Sequence, residues 1–233
     1  VINAESKSFK DSLIVSIKAI EKGTIFKDTD TNMFIALRKE TADKIIINKT
    51  TTITSKTYAF NGVEYSYSKP VSATFFKKPN NYSINIKSVY NPQYHAGGPE
   101  GLLDGILGTE NWRKGDWQGY QSQDFEAVVD LKEVKSVKEI STRFLQDSRS
   151  WILMPTKVEY FISEDNVNFT YFGTVSYKLD PKDENNTILD FTSTNFANKK
   201  ARYVKVIAKN FGKLPEWHQG AGGDAFIFID EIT

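Results

Sequence analysis

Gly101-Leu-Leu-Asp-Gly-Ile-Leu-Gly-Thr-Glu-Asn-Trp112, taken with the last five residues, Ile229-Asp-Glu-Ile-Thr233, decides the fold. The first stretch places one acid, Asp104, in a tight Asp-Gly turn and a hydroxyl, Thr109, five residues later. The second places Glu231 in an alternating apolar strand at the far end of the chain. A carboxylate in a turn, turn carbonyls, a threonine oxygen and a distant glutamate are the hard oxygen donors that Ca2+ prefers. An ion held there joins a domain's first loop to its last strand. The pattern points to a closed β-sandwich and away from catalysis by these acids.

Outward from that pair, alternation of apolar and polar residues dominates. Leu13–Ile17, Lys44–Asn48, Val71–Phe76, Val128–Leu131, Val158–Ile162, Tyr203–Ile207 and Phe226–Asp230 read as short β-branched or aromatic strands. Asn61-Gly62, Asp104-Gly105 and Asn80-Asn81 punctuate them as turns. Helical periodicity is nearly absent, so an all-β sandwich or barrel architecture is expected.

The chain has 233 residues, enough for one large or two modest domains, and its composition shifts near Lys77-Lys-Pro-Asn-Asn81. All four Trp and both His lie beyond that point. We therefore expect domains at 1–79 and 82–233, with activity on the loops of the second. The net charge of +1 gives no global attraction to nucleic acid or anionic lipid. No apolar run is long enough to span a bilayer. There are no cysteines, which excludes disulfides and thiolate metal sites but is compatible with bacterial export. The chain starts at Val1 with no signal peptide and reads as a fragment or processed form.

Four segments carry a family resemblance: Leu103-Asp-Gly105 with Thr109 and Trp112; Phe161-Ile-Ser-Glu-Asp-Asn-Val-Asn-Phe169; Ala201-Arg-Tyr-Val-Lys-Val206; and Phe228-Ile-Asp-Glu-Ile232. In this order, over about residues 82–233, they resemble the discoidin-like family (coagulation factor C-domain type), specifically family 32 carbohydrate-binding modules. In the second segment Asn166 stands where the family's hairpin has Gly. The resemblance implies a galactose-binding-like jelly roll. Thr50–Thr54, Ala59-Phe60, Gly62 and Ser68–Val71 resemble the small immunoglobulin-like sandwich that follows the catalytic barrel of many family 20 β-N-acetylhexosaminidases; the family's Tyr-Thr-x-Asp-Gly segment is poorly kept at Phe26–Asp30. The tandem resembles the C-terminal end of Bacteroidetes-type enzymes of that family (chitobiases). The catalytic Asp-Glu barrel of that family is not in this chain, and Asp230-Glu231 does not replace it.

Carried over residue by residue, the resemblance implies a structural Ca2+ held by the Asp104 carboxylate, the Thr109 oxygens, the Glu231 carboxylate and the backbone carbonyls of Gly101, Ile106 and Asp230. A type I′ turn with a surface Glu is the plain alternative. Sugar rings present a flat C–H face and a rim of hydroxyls, met by aromatic rings and by planar amides, carboxylates, His or Arg. Three segments have that chemistry, and they nominate Trp117 and Gln118, Asp147 and Trp151, and Trp217 and His218. Each Trp could instead seal the end of the sandwich from within.

No Gly-x-Ser-x-Gly, HExxH or phosphate-loop ending occurs, and no acid pair stands out as that of a glycosidase. The expectation is a non-catalytic module that binds glycans of N-acetylhexosamine or galactose type. By resemblance it serves the N-terminal catalytic barrel of a periplasmic, cell-surface or secreted bacterial hexosaminidase. A spacer or a protein-interaction module is the alternative, because fold alone does not fix function.

Overall fold

The computed structural model describes residues 1–18, 24–29, 35–37, 43–60 and 62–233. Asp30 and Asn61, which belong to two of the sequence signals above, lie outside these residues. The chain forms two compact units, Val1–Lys78 and Pro79–Thr233.

In the first unit β1 (Ile2–Ala4), β3 (Leu13–Ile17) and β6 (Asp43–Ile47) form an antiparallel sheet. A second sheet contains β2 (Ser8–Phe9), β4 (Thr24–Thr29), β5 (Ile35–Leu37), β7 (Thr51–Phe60), β8 (Tyr65–Tyr67) and β9 (Val71–Lys77). Alternation in Leu13–Ile17 sends Leu13, Val15 and Ile17 inward, where they meet Ile47, Phe9, Ile53 and Phe75. Both sheets thus contribute to one core, as in a β-sandwich.

The second unit is a single connected sheet of β10 (Ser83–Ile86), β11 (Gln118–Gln121), β12 (Phe125–Gln146), β13 (Lys157–Ser163), β14 (Thr170–Val175), β15 (Thr187–Lys209) and β16 (Phe226–Ile232). The strands expected at Val128–Leu131 and Tyr203–Ile207 are parts of the two long ones, β12 and β15. These pair antiparallel along most of their length, with register shifts between Asp130 and Lys135 and between Val137 and Glu139. The shifts bend the ladder without ending it. The first part of β12 therefore pairs with β10 at Ala127–Asp130, and its second part pairs with β16 at Thr142–Leu145. The folded-over sheet encloses Val129, Ile140, Phe144, Tyr160, Phe191, Val206 and Ile229. The hydroxyl of Tyr160 is satisfied inside this core by the Phe191 carbonyl and by Thr142 Oγ1 at 2.6 Å.

The loop layer from Tyr94 to Trp117 lies against the outer side of this sheet at one end. Trp117, Leu145, Ile152 and Phe228 form a separate small core there, with Tyr94 and Trp112 packed on it. Two close approaches fix the layer. A Cβ on Gly101 would sit 1.9 Å from the Ala96 carbonyl oxygen, and one on Gly119 would sit 2.6 Å from the Phe228 ring. Only glycine fits at these positions.

Candidate functional site

The Asp104–Thr109 loop and the end of β16 meet as the sequence suggested. Asp104 and Glu231 are both buried. Asp104 follows the 3₁₀ turn Pro99–Leu103 with φ −101°, and Gly105 takes φ +76°. A type I′ turn needs positive φ at both residues, so the plain hairpin-turn alternative does not describe this loop. Asp104 Oδ1 accepts the Ile106 N–H at 2.9 Å, and Glu231 Oε2 accepts the Gly105 N–H at 3.1 Å. Burial pushes the Glu231 carboxyl up to about 8, the neighbouring Asp104 charge adds to the rise, and the Gly105 N–H opposes it.

The side chain of Asp230 points to the opposite face of β16, as strand alternation requires. Its Oδ2 accepts the Gly108 N–H at 2.6 Å and pairs with Arg143 at 2.5 Å. Only its backbone is available to the Asp104 side. Among the described residues no three His, Cys, Asp or Glu side chains gather. The donor set suits a hard cation rather than a transition metal. It offers two carboxylates whose mutual repulsion a cation would relieve, with main-chain carbonyls and the exposed Thr109 for the remaining contacts.

The six residues expected to meet sugar separate into two groups. Asp147, Trp151, Trp217 and His218 come together on two adjoining loops, the turn after β12 and the segment between β15 and β16. The turn after β12 is closed by backbone hydrogen bonds between Asp147 and Ile152 in both directions, at 3.0 and 3.2 Å. It holds Trp151 at φ +66°, a left-handed conformation rare for a bulky residue. The Trp151 ring fits under the second loop, where a Cβ on Gly220 or Gly223 would approach it to 2.5 or 2.8 Å. Trp151 is thus half-buried and anchors the loop above it. Trp217 is 41% exposed, tilted against His218 with ring centroids 5.6 Å apart, and Lys182 Nζ lies 5.4 Å from its ring centroid.

His218 is buried and occupied at both nitrogens. Its Nε2 contacts the Ser148 carbonyl at 2.7 Å, and its Nδ1 contacts the Gly220 N–H at 2.9 Å. A carbonyl only accepts and an amide N–H only donates, so the ring is the Nε2–H tautomer. The expected role for His218 as a donor to a sugar hydroxyl is corrected on this ground: it ties the two loops together. Asp147 is also buried, and its Oδ2 accepts from the Trp112 indole at 3.0 Å and from Ser150 Oγ at 2.8 Å.

Trp117 and Gln118 are the second group, and the structure moves both away from any ligand. Trp117 is 1% exposed and donates its indole N–H to the Thr109 carbonyl at 2.9 Å. Gln118 is fully buried, donates to the Gly98 carbonyl at 2.7 Å and accepts from Tyr120 Oη at 2.7 Å. The sheet covers the chain here from one side and the Tyr94 loop from the other, so the polar residues flanking Trp117 do not bring it to the surface. Lys182 was not nominated from sequence. It reaches Trp217 from the loop between β14 and β15, and nothing in its local sequence marks it.

The F5/8 type C domain matches residues 83–224, more than half of the chain. The chain belongs to the F5/8 type C domain family. The match lies within the second unit. Among solved structures, the chain is similar to a family 32 carbohydrate-binding module of a family 89 glycoside hydrolase from Clostridium perfringens, in complex with GalNAc-β-1,3-galactose. The identity is 19%, the match covers 65% of this chain and 92% of that one, and the TM-score is 0.40. It is also similar to the family 32 module of C. perfringens NanJ in complex with galactose, at 19% identity, 65% and 90% coverage and a TM-score of 0.41. A third is the C-terminal domain of a chitobiase from Bacteroides fragilis, at 17% identity, 64% and 91% coverage and a TM-score of 0.40. A comparison with curated proteins returns no match. Among the described residues of this F5/8 type C protein no helix is long and apolar enough to cross a membrane.

Proposed function

We propose that Pro79–Thr233 binds a glycan without catalysis, with Trp217 as the stacking residue. The observation that carries this reading is the exposed Trp217 ring on a loop fixed from below by His218 and Trp151. A displayed aromatic on an ordered support loses little conformational freedom on binding a sugar face. Lys182, Gln219 and Glu216 are the polar groups on or beside this loop. Gln219 is already oriented by a 3.0 Å bond to the Arg149 carbonyl. The ligand class we favour is an N-acetylhexosamine- or galactose-containing glycan.

The finer reading has three further parts. Val1–Lys78 is an immunoglobulin-like connector. The parent protein is a β-N-acetylhexosaminidase of the bacterial periplasm, cell surface or exterior, whose barrel the module holds near substrate by raising effective concentration. Asp104 and Glu231, with Thr109 and the carbonyls of Gly101, Ile106 and Asp230, would hold a structural Ca2+. When bound, the ion supplies charge neutralisation to two buried carboxylates and joins the first loop of the domain to its last strand.

A second reading, a spacer or protein-interaction module that binds no sugar, is favoured by one fact. Of the six residues nominated from sequence, only Trp217 is exposed, and Trp117, Gln118, Asp147 and His218 are buried. A glycan array separates the two. The intact chain is expected to retain N-acetylhexosamine- or galactose-terminated glycans and to lose them on Trp217→Ala. No retention of any glycan favours the second reading.

A further inference from the structure

Gly108 stands next to Thr109 at the end of the Asp104–Thr109 loop and is held on three sides by side chains outside the loop. Its N–H donates to Asp230 Oδ2 at 2.6 Å, and its carbonyl accepts from Arg143 Nη1 at 2.9 Å. The same Arg143 nitrogen meets Asp230 Oδ2 at 2.5 Å, so the two pins brace each other. On the third side lies the Trp117 ring, which a Cβ on Gly108 would approach to 2.4 Å. The same indole donates to the next carbonyl, that of Thr109, at 2.9 Å. The Arg143 guanidinium lies 5.7 Å from the Trp117 ring centroid, and its Nε lies 3.9 Å from Asp190. The Asp230 carboxylate is fully buried in this arrangement.

The loop thus has two faces with different work. The Asp104 and Glu231 carboxylates stand on one. On the other, Asp230, Arg143 and Trp117 fix the backbone that presents Thr109 and Ile106. The geometry points to Arg143, Asp230 and Trp117 as positioning residues that hold the calcium loop in its binding shape before the ion arrives, and so set its calcium affinity without touching the ion through their side chains. This inference rests on the calcium reading given above. A loop already in shape spends little ordering entropy on the ion, whereas a released loop must be ordered at the moment of binding. Outer residues that orient metal ligands typically change metal affinity by about 10–100-fold when removed.

The test is calcium titration by calorimetry on the whole chain. Two variants are compared with the unsubstituted protein: Arg143→Met with Asp230→Leu, which removes both pins without leaving a buried unpaired charge, and Trp117→Phe, which removes only the indole donor. Both are expected to bind calcium at least about tenfold more weakly with unchanged far-ultraviolet circular dichroism, and Asp104→Ala to abolish binding. Variants that melt earlier in chelator yet keep the original affinity would show a purely structural role and overturn the proposal. An unsubstituted chain that gives no calcium heat and no chelator effect on melting ends the calcium reading and this inference together. Should the variants fail to fold, amide exchange on the unsubstituted chain in chelator decides: a protected Gly108 N–H is required, and exchange at the rate of an open loop refutes it.

Discussion

Trp117 and Trp217 sit in sequence surroundings that look alike, each between polar residues in a loop near glycine. Their environments are opposite. Trp117 is sealed in a core with Leu145, Ile152 and Phe228, while Trp217 is 41% exposed. The difference comes from the third dimension. The chain from Trp117 to Tyr120 is buried residue after residue, because β11 pairs with β16 on one side and the Tyr94 loop lies across its outer face. No local pattern announces that second cover. Trp117→Ala is therefore expected to destabilise the fold by about 3–5 kcal/mol through the cavity it leaves. Trp217→Ala is expected to change stability by no more than about 0.5 kcal/mol. Denaturant unfolding measures both, and comparable losses at the two sites would contradict the assignment of one to the core and the other to the surface.

The β13–β14 hairpin shows how much an element reveals in advance. Ser163-Glu-Asp-Asn-Val-Asn-Phe169 was legible because its chemistry is local. Asn166 takes φ +64°, the left-handed position that Gly usually fills and Asn tolerates. Asp165 Oδ1 accepts the N–H groups of Val167 and Asn168 at 2.9 and 2.8 Å, and its Oδ2 accepts from Asn168 Nδ2 at 2.7 Å. The Asn168 and Val167 N–H groups hold the Asp165 carboxyl well below the usual range, with Asn168 Nδ2 and Ser163 adding to the effect. An unfolded Asp titrates near 3.9, so between that pH and its lower folded value the unfolded chain binds the extra proton. Stability from this contact is complete above about pH 4 and is lost as pH falls further. Melting temperatures of Asp165→Asn should decline less between pH 4 and pH 2 than those of the unsubstituted chain. Parallel declines would show that the carboxylate does not cap the turn in solution. The long strands were less legible. Alternation marked pieces of β12 and β15, but their 22- and 23-residue spans depend on register shifts that carry each strand past a polar stretch, and those shifts are set by cross-strand partners.

For the whole molecule, the sequence clues that survived best were those binding distant segments. Asp104 and Glu231 are 127 residues apart; oxygen-donor chemistry and the family resemblance together paired them, and the fold buries both. The residues expected to face sugar fared less well, with Trp117, Gln118, Asp147 and His218 buried, because exposure is decided by what packs on a loop, which neither composition nor spacing encodes. The same consideration bears on the two units. Each closes a core of its own, one around Val15, Ile17 and Ile53, the other around Phe144, Tyr160 and Phe191. A domain with a self-contained core can fold alone. Pro79–Thr233 expressed by itself should therefore melt cooperatively and keep the glycan retention and calcium response of the intact chain. Calorimetry of the fragment checks the first point, and the array and titration above check the others. Its transition should lie within a few degrees of the matching transition in the full chain. A fragment that folds but no longer binds would mean that Val1–Lys78 supplies part of the site, and one that does not fold would mean that the second core is incomplete without the first.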